Sequence, residues 1–376
     1  MQVIDRLLKR RLEKQLFKGK VLVITGARQV GKTTLLQDLF QNKTEMLWLN
    51  ADEQALRERL TNPSLQSLKA VIGNYKLVVI DEVQRIVNPG LLLKLLVDNF
   101  KGVQFVATGS SALDISETVF EPLTGRQFLF HLYPLAMAEM YPGKSAFEWE
   151  QALPFHLVFG SYPDVVNHKP DAEMILNNLS DQYLYKDVLV WKDIRKPQLL
   201  ESLLKLLAYQ VCSEVSFHEL ANTLKVKAET IENYVDLLEK AFVIFRLNAY
   251  SKNPRKEVSK MSKVYFWDNG VRNAVINDFN PLELRNDHGK LWENFIVSER
   301  MKMKAYKDER MNSYFWRNYN QSEVDYLEEF KNELYGFEMK WNRNKEHKIT
   351  RAFTNAYPDA ITEIITPLEF QEFINV

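Results

Sequence analysis

Short apolar runs and helix-like segments alternate along the first 141 residues of the chain. The apolar runs cover residues 21–25, 46–49, 77–80, 103–107 and 128–132. Runs of this length, each followed by a segment with helical spacing, are typical of buried parallel strands covered by helices. The pattern predicts an α/β domain with a largely parallel sheet.

The pattern changes after about residue 145, where segments 172–190 and 198–211 have helical spacing and no strand-like run lies between them. Two short helical periods at 218–224 and 229–238, followed by strand-like runs, predict a helix-turn-helix with a β-wing. Beyond residue 270, a helix at 289–304 precedes three strand-like runs, which indicates an α+β module. The three runs cover residues 314–317, 323–327 and 334–341. The predicted division is 1–145, 146–210, 211–268 and 269–376.

Composition excludes several classes of protein. Hydrophobic residues make up 46% and charged residues 26% of the chain, which is typical of a folded soluble protein. Because 49 basic residues balance 49 acidic ones, any contact with nucleic acid must be a local patch. The single cysteine, Cys212, excludes a disulfide framework and favours a reducing, cytoplasmic compartment. No apolar run reaches about 18 residues, so no membrane span is predicted.

The clearest motif is GARQVGKT at residues 26–33, between a predicted strand and a helix at 34–40. It matches GxxxxGK[ST] in the context that a phosphate-binding loop requires. Backbone amides and the helix N-terminus would face phosphate oxygens, Lys32 would reach the β- and γ-phosphates, and Thr33 would ligate Mg²⁺. The residues predicted to bind ATP are Gly26, Ala27, Arg28, Gln29, Val30, Gly31, Lys32, Thr33 and Thr34.

Two further strand ends carry groups suited to hydrolysis. The run LVVI ends in Asp81 and Glu82, which we expect to hold Mg²⁺ through water and to polarise the attacking water, respectively. The run at 103–107 ends in Thr108, with Ser110 as second choice, where a hydroxyl could sense the γ-phosphate or the water. The alternative for both hydroxyls is a polar strand end in an ordinary loop.

Together, GARQVGKTTLL, LVVIDEVQ, ATGSSA and LTGRQFLFHLYPL resemble the AAA+-related prokaryotic P-loop ATPases. In that family the C-terminal half is a winged helix plus a restriction-nuclease-like (PD-(D/E)xK) domain of unassigned function, and the likeness runs over nearly the whole chain. The resemblance implies an α/β P-loop NTPase with a parallel sheet and helical lid, followed by a winged helix-turn-helix and a C-terminal α+β nuclease-like domain. It also implies that Lys32, Thr33, Asp81 and Glu82 bind and hydrolyse ATP.

Two other positions follow from the resemblance. Arg126 stands where such ATPases carry an arginine directed at the γ-phosphate of the same or a neighbouring subunit, and a homo-oligomer is expected if it acts between subunits. The alternative is that Arg126 is an exposed or structurally paired arginine. Residues 160–163 resemble the family's Gly-Gly-x-Pro turn, but Ser161 replaces the second glycine, which weakens any adenine-side role.

The predicted wing is basic and the second helix before it is acidic. A basic wing could lie on DNA phosphates, whereas an acidic helix repels them, so protein contact is the alternative to DNA contact. The basic residues are Lys252, Arg255, Lys256, Lys260 and Lys263. The acidic residues are Glu229, Glu232, Asp236 and Glu239.

A candidate metal site lies in the last module. Glu293 falls on a predicted helix, Asp325 on a strand, and Glu338 and Lys340 on the next strand, where residues two apart share a face. This order matches a restriction-type nuclease, with three carboxylates for a divalent cation and a lysine that orients water. The alternative is a solvated, nonfunctional face.

The leading hypothesis is an ATPase that uses ATP and Mg²⁺ and acts with DNA through its C-terminal modules. The alternative is a nucleotide-dependent regulatory or interaction protein with an inactive nuclease-like domain. A metabolic P-loop kinase is disfavoured, because Glu82 supplies a base for water and no pocket for a small substrate is evident.

Overall fold

The computed structural model describes residues 3–109, 123–181, 197–251, 262–309, 311–342 and 348–375. The chain divides into two compact units, Met1–Tyr133 with Lys240–Phe242, and Pro134–Glu239 with Val243–Val376. The predicted division into four domains stays a prediction. None of the helices in the described ranges is long and apolar enough to cross a membrane.

The first unit is an α/β layer structure, as predicted. Its strands are β1 (Val21–Thr25), β2 (Met46–Asn50), β3 (Leu77–Asp81), β4 (Gln104–Gly109) and β5 (Gln127–His131). Its helices are α1 (Leu8–Gln15), α2 (Lys32–Phe40), α3 (Gln54–Leu60), α4 (Leu65–Ile72) and α5 (Pro89–Asn99), with a 3-10 turn at Val83–Arg85. The five strands begin and end within two residues of the predicted bounds.

The five strands form one sheet in the order β2-β3-β4-β1-β5, and every neighbouring pair is parallel. Every residue of β1, β3 and β4 is buried, because helices cover both faces of a doubly wound sheet. In a parallel sheet all carboxyl ends meet at one edge. The insertion of β4 between β1 and β3 therefore brings the ends of these three strands side by side, where ligands bind in such folds.

The second unit combines helices with a larger sheet. Its helices are α6 (Met137–Met140), α7 (Ala146–Phe159), α8 (Pro163–Asn167), α9 (Ala172–Leu179), α10 (Pro197–Tyr209), α11 (Phe217–Leu224), α12 (Ala228–Lys240), α13 (Asn269–Ile276), α14 (His288–Lys307), α15 (Arg351–Ala356) and α16 (Phe370–Asn375). Its strands are β6 (Glu214–Val215), β7 (Ile244–Ala249), β8 (Ser262–Phe266), β9 (Asn312–Arg317), β10 (Glu323–Phe330), β11 (Glu333–Met339) and β12 (Ile361–Ile365), and 3-10 turns cover Lys169–Asp171 and Leu282–Leu284.

One seven-stranded sheet runs through this unit in the order β12-β11-β10-β9-β7-β8-β6. The strands of the predicted wing (β7, β8) and of the predicted nuclease-like module (β9–β11) therefore belong to the same sheet, joined where β7 pairs with β9 in parallel. Sequence spacing predicted the strands but not this pairing. Helices α11 and α12 occupy the predicted helix-turn-helix positions, with Lys225 in a left-handed conformation between them.

The winged-helix assignment itself stays a prediction. Of the predicted wing cations, Lys252, Arg255, Lys256 and Lys260 lie outside the described residues. The acidic face of α12 is partly neutralised, because Arg246 on β7 donates to Asp236 at 2.7 Å and also contacts Glu239.

The turn after α7 explains the partial Gly-Gly-x-Pro match. Gly160 has φ of +70°, and a Cβ there would meet the Asp268 carboxylate at 2.0 Å. The backbone N–H of Ser161 donates to the same carboxylate at 2.7 Å. Asp268 also caps α13 by accepting from the Val271 N–H at 3.1 Å. Within the second unit this turn therefore links two helices.

Candidate functional site

The phosphate-binding loop connects β1 to α2. Gly26 must be glycine, because a Cβ there would lie 2.1 Å from the Leu132 carbonyl oxygen. Gly31 precedes α2 with φ of +94°, which L side chains rarely adopt, so glycine is needed there as well. Gln29 is exposed at the tip of the loop with φ of +59°. The loop thus wraps backbone amides around the start of a helix, which is an anion-binding geometry.

Lys32 points into this loop. Its ammonium donates to the carbonyl oxygens of Gly26 at 2.9 Å and Ala27 at 2.8 Å, and the side chain is buried. The charge is therefore held at the centre of the loop, where phosphate oxygens would approach. Thr33 and Thr34 follow on the first turn of α2, both partly exposed.

Asp81, at the end of β3, is the centre of a hydrogen-bond network. Its carboxylate accepts from the Thr33 hydroxyl at 3.0 Å and from the Thr108 hydroxyl at the end of β4. The Thr108 hydroxyl in turn accepts from the backbone N–H of Glu82 at 3.0 Å. Since a hydroxyl has one proton, that of Thr108 is directed at Asp81. The predicted sensing of the γ-phosphate or the water by this hydroxyl stays a prediction. Ser110 lies outside the described residues.

Glu82 directly follows Asp81 in a left-handed conformation, with φ of +55°. Its carboxylate accepts from the side-chain amide of Gln84. A non-glycine residue in this conformation is uncommon, and such outliers cluster at functional sites. Together, these contacts bring Lys32, Thr33, Asp81, Glu82 and Thr108 to one edge of the sheet.

Arg6 is a residue that sequence reasoning missed. It lies just before α1, and its buried guanidinium donates at 2.7 Å to the Val30 carbonyl oxygen in the phosphate-binding loop. It also donates at 2.7 Å to the Tyr133 carbonyl oxygen beyond β5. One side chain therefore joins the N-terminal segment, the loop and the strand beside β1. No local motif marks Arg6, because its partners are distant in sequence.

Arg126 does not join this group. It precedes β5, and the Val21 N–H at the start of β1 donates to its carbonyl oxygen at 3.0 Å. The loop follows the other end of β1, about 13 Å away at 3.3 Å per strand residue. The Arg126 side chain donates to Asp98 at 2.8 Å. Action of Arg126 on a phosphate, in the same or a neighbouring subunit, stays a prediction.

The imidazole of His131 lies at the carboxyl end of β5, beside the end of β1. Its Nδ1 is 2.7 Å from the Thr25 hydroxyl, directly before the loop. Burial lowers the pKa of His131 to about 4, so the ring is neutral at physiological pH. Burial also raises the pKa of Tyr133. These groups contribute no charge to the loop near neutral pH.

In the second unit, the structure brings Glu293, Asp325, Glu338 and Lys340 together. We call Glu293, Glu323, Asp325 and Glu338 the C-terminal carboxylate cluster. Lys340 donates to Glu338 at 2.7 Å and lies 3.9 Å from Asp325. The Met339 N–H donates to Asp325 at 2.8 Å. Glu338 on β11 and Lys340 directly after its end are two residues apart and lie on the same side, toward Asp325 on β10.

Lys263 lies within the same cluster, which corrects its predicted place among the wing cations. Its ammonium is 3.1 Å from Glu293 and 3.8 Å from Asp325, and it also contacts Glu323. Its side chain is only 1% exposed, so it cannot lie on a phosphate in this arrangement. Tyr265, two residues along β8, donates to Glu293 at 2.8 Å. No sequence signal identified either residue as part of the cluster.

Burial and neighbouring charge shift the cluster's protonation. Burial, together with the charge of Asp325, raises the pKa of Glu293 to about 7, although Lys263 opposes the shift. The same two causes raise the pKa of Glu338. Burial alone would lower the pKa of Lys263, but the charges of Glu293, Asp325 and Glu323 raise it. The ammonium therefore stays charged.

The cluster does not fit the predicted metal site. Within the described ranges, no group of three or more His, Cys, Asp or Glu residues is arranged to hold a metal ion. A cation is already present, in the form of Lys263. A cavity of about 710 Å³ adjoins the cluster, and Glu293, Asp325, Lys340 and Trp341 are among its lining residues.

The parallel sheet, the glycine-dependent loop and the carboxylate at the neighbouring strand end are together the features of a P-loop domain. Residues 18–141 match the family model of the AAA domain. Residues 150–282 match one domain of unknown function (DUF8612), and residues 288–368 match another (DUF4143).

Similar proteins include an uncharacterized protein of Mycobacterium tuberculosis, 28% identical over 357 residues, which cover 93% of this chain and 76% of the relative. A second, from Methanocaldococcus jannaschii, is 26% identical over 381 residues, covering 94% of this chain and 82% of the relative. A Walker-type ATPase of Pyrococcus abyssi is a similar solved structure, with 17% identity and a TM-score of 0.47. The match covers 73% of this chain and 96% of that one.

Proposed function

We propose that the protein binds and hydrolyses ATP at the edge of the sheet where β1, β3 and β4 end. The observation that carries the proposal is the network joining Thr33, Asp81, Thr108 and Glu82 beside the ammonium of Lys32. Phosphoryl transfer to water needs a positioned phosphate, a metal ion and an oriented water, with little covalent chemistry by the protein. These residues supply the required groups within one short stretch of the sheet edge.

Each residue has a distinct proposed role. Amides of residues 26–34 and the N-terminus of α2 bind the phosphates, and Lys32 exchanges its loop carbonyls for β- and γ-phosphate oxygens. Glu82 orients and polarises the attacking water. Thr108 is a positioning residue, because it fixes the Asp81 carboxylate and the backbone of Glu82 at the same time.

The donor set also fits Mg²⁺. The Thr33 hydroxyl and the Asp81 carboxylate are 3.0 Å apart, and Mg²⁺ prefers such hard oxygen ligands while it retains several waters. When bound, the ion would neutralise charge on the β- and γ-phosphate oxygens. Thr33 and Asp81 are the residues that would hold it.

A comparison of two lysine variants tests the proposal. Lys32→Ala removes the loop cation and should lower ATP affinity at least tenfold and reduce phosphate release to background. Lys43→Ala, which removes an exposed lysine just beyond α2, is the matched control and should behave as wild type. Equal phosphate release by wild type and Lys32→Ala would remove the basis of the proposal.

We further propose that nucleotide state is coupled to DNA binding by the second unit. Support comes from the basic sequence of the predicted wing (Lys252, Arg255, Lys256, Lys260) and from the neutralisation of α12 acids by Arg246. ATPase measurements with and without duplex DNA, over a range of salt concentrations, test this coupling. Stimulation that weakens with salt supports it. ATP turnover that DNA leaves unchanged at low salt, together with no DNA binding, favours the regulatory alternative.

A further inference from the structure

The C-terminal carboxylate cluster contains a buried ammonium at its centre. Lys263 on β8 reaches Glu293 on α14 and Glu323 and Asp325 on β10. Its side chain is almost wholly buried, and the ammonium lies 5.6 Å from the centre of the Phe315 ring. The cation therefore has carboxylate partners on two elements besides its own strand.

The position of Lys263 follows from its strand. Residues two apart on a strand share a face, so Lys263 and Tyr265 point the same way from β8. Both contact the same carboxylate oxygen of Glu293, at 3.1 Å and 2.8 Å, respectively. Pairing with β7 and β6 on either side of β8 fixes this register. The ammonium is thus held by the sheet and is not a mobile surface charge.

We propose that Lys263 is the resident cation of the C-terminal carboxylate cluster, and that the wild-type cluster binds no divalent metal. An ion bound between the Glu293 and Asp325 oxygens would have to share space with the ammonium and would be repelled by it. Lys340 strengthens the exclusion, because it contacts Glu338 at 2.7 Å and lies 3.9 Å from Asp325.

Removal of the ammonium should convert the cluster into a metal site. Glu293 and Asp325 would lose their shared cation, and Glu338 has a buried Oε2 atom without a hydrogen-bond partner among the described residues. In the wild-type structure these carboxylates surround the ammonium and are not arranged to hold a metal ion. We infer that, without the ammonium, Glu293, Asp325 and Glu338 close on one divalent cation, because Mg²⁺ and Mn²⁺ prefer carboxylate oxygens. The exchange of one lysine for a neutral side chain is therefore the decisive perturbation.

The experiment uses the full chain without nucleotide, in an Asp81→Asn background that removes the first unit's carboxylate. Mn²⁺ binding is measured by electron paramagnetic resonance, and the melting temperature Tm is measured with and without Mn²⁺. The protein in which the cluster and Lys263 are unchanged should bind no Mn²⁺ and show no shift in Tm when Mn²⁺ is added. Lys263→Met should have a lower Tm, bind one Mn²⁺ and regain stability with Mn²⁺, since a ligand specific to the folded state stabilises it.

Three further variants complete the test. Lys263→Arg keeps the charge and should remain metal-free, whereas Glu338→Gln added to Lys263→Met should abolish the new site. Lys263→Gln repeats the removal in case Lys263→Met fails to fold. The proposal would be overturned if the protein that retains Lys263 bound Mn²⁺ and Glu338→Gln abolished this binding. It would also be overturned if folded Lys263→Met and Lys263→Gln variants bound no Mn²⁺.

Discussion

Arg6 offers a sharp test of how the phosphate-binding loop is held. Its buried guanidinium donates at 2.7 Å to the carbonyl oxygens of Val30 and Tyr133. Hydrogen bonds to a charged group contribute about 1.5–3 kcal/mol each, and Arg6→Ala would also leave two carbonyl groups with poor access to water. We therefore expect Arg6→Ala to lower the free energy of local opening around the loop by about 3 kcal/mol.

Hydrogen–deuterium exchange of peptides covering residues 21–40 measures this effect. A loss of about 3 kcal/mol corresponds to exchange faster by roughly a hundredfold, and a looser loop should lower ATP affinity by about tenfold in calorimetry. Arg10→Ala, an exposed position on α1, is the matched control. Arg6→Lys should be intermediate, because an ammonium lacks the planar fork. If Arg6→Ala exchanges and binds ATP like Arg10→Ala, the proposed loop support is incorrect.

Three further outcomes are expected. Thr108→Val should lower kcat by about tenfold or more with little change in ATP affinity, and Thr108→Ser should restore kcat, because the hydroxyl positions two neighbours. Gly160→Ala should lower the free energy of unfolding by about 2 kcal/mol or more, which a lower Tm would show. Gly143 has the same φ of +70° but open space around it, so Gly143→Ala should lower the free energy of unfolding by less. Burial alone would raise the pKa of Glu328, but Arg300 and Lys304 lower it. The ionised Glu328 should therefore stabilise the folded protein above about pH 4.5, and this stabilisation should be lost as the pH falls further. Glu328→Gln should accordingly make Tm depend less on pH in the acid range.

The first unit was largely predictable from sequence. Its strands are short and apolar, and its loop motif needs specific residues because backbone, phosphate and helix must meet closely. The end of β3 at Asp81 and the start of α2 at Lys32 therefore agree closely with the spacing. The roles of Arg126 and Thr108 were less predictable. Their partners, Asp98 and Asp81, depend on strand order, which periodicity does not encode.

The second unit shows the limit of local patterns more clearly. Strand-like runs predicted β9, β10 and β11, but not their pairing with β7 in one sheet, because strand pairing is set by distant parts of the chain. Lys263 is the most informative case. In the sequence it is one of several nearby lysines, whereas in the fold it is buried among three carboxylates.

The measurement that tests the central claim most directly compares ATP binding and ATP hydrolysis in Glu82→Gln. The substitution keeps the shape of the side chain but removes the carboxylate that would polarise the attacking water. We predict an ATP dissociation constant within about threefold of wild type by calorimetry, and phosphate release slower by about a hundredfold or more. Wild-type phosphate release by a folded Glu82→Gln protein would contradict the account.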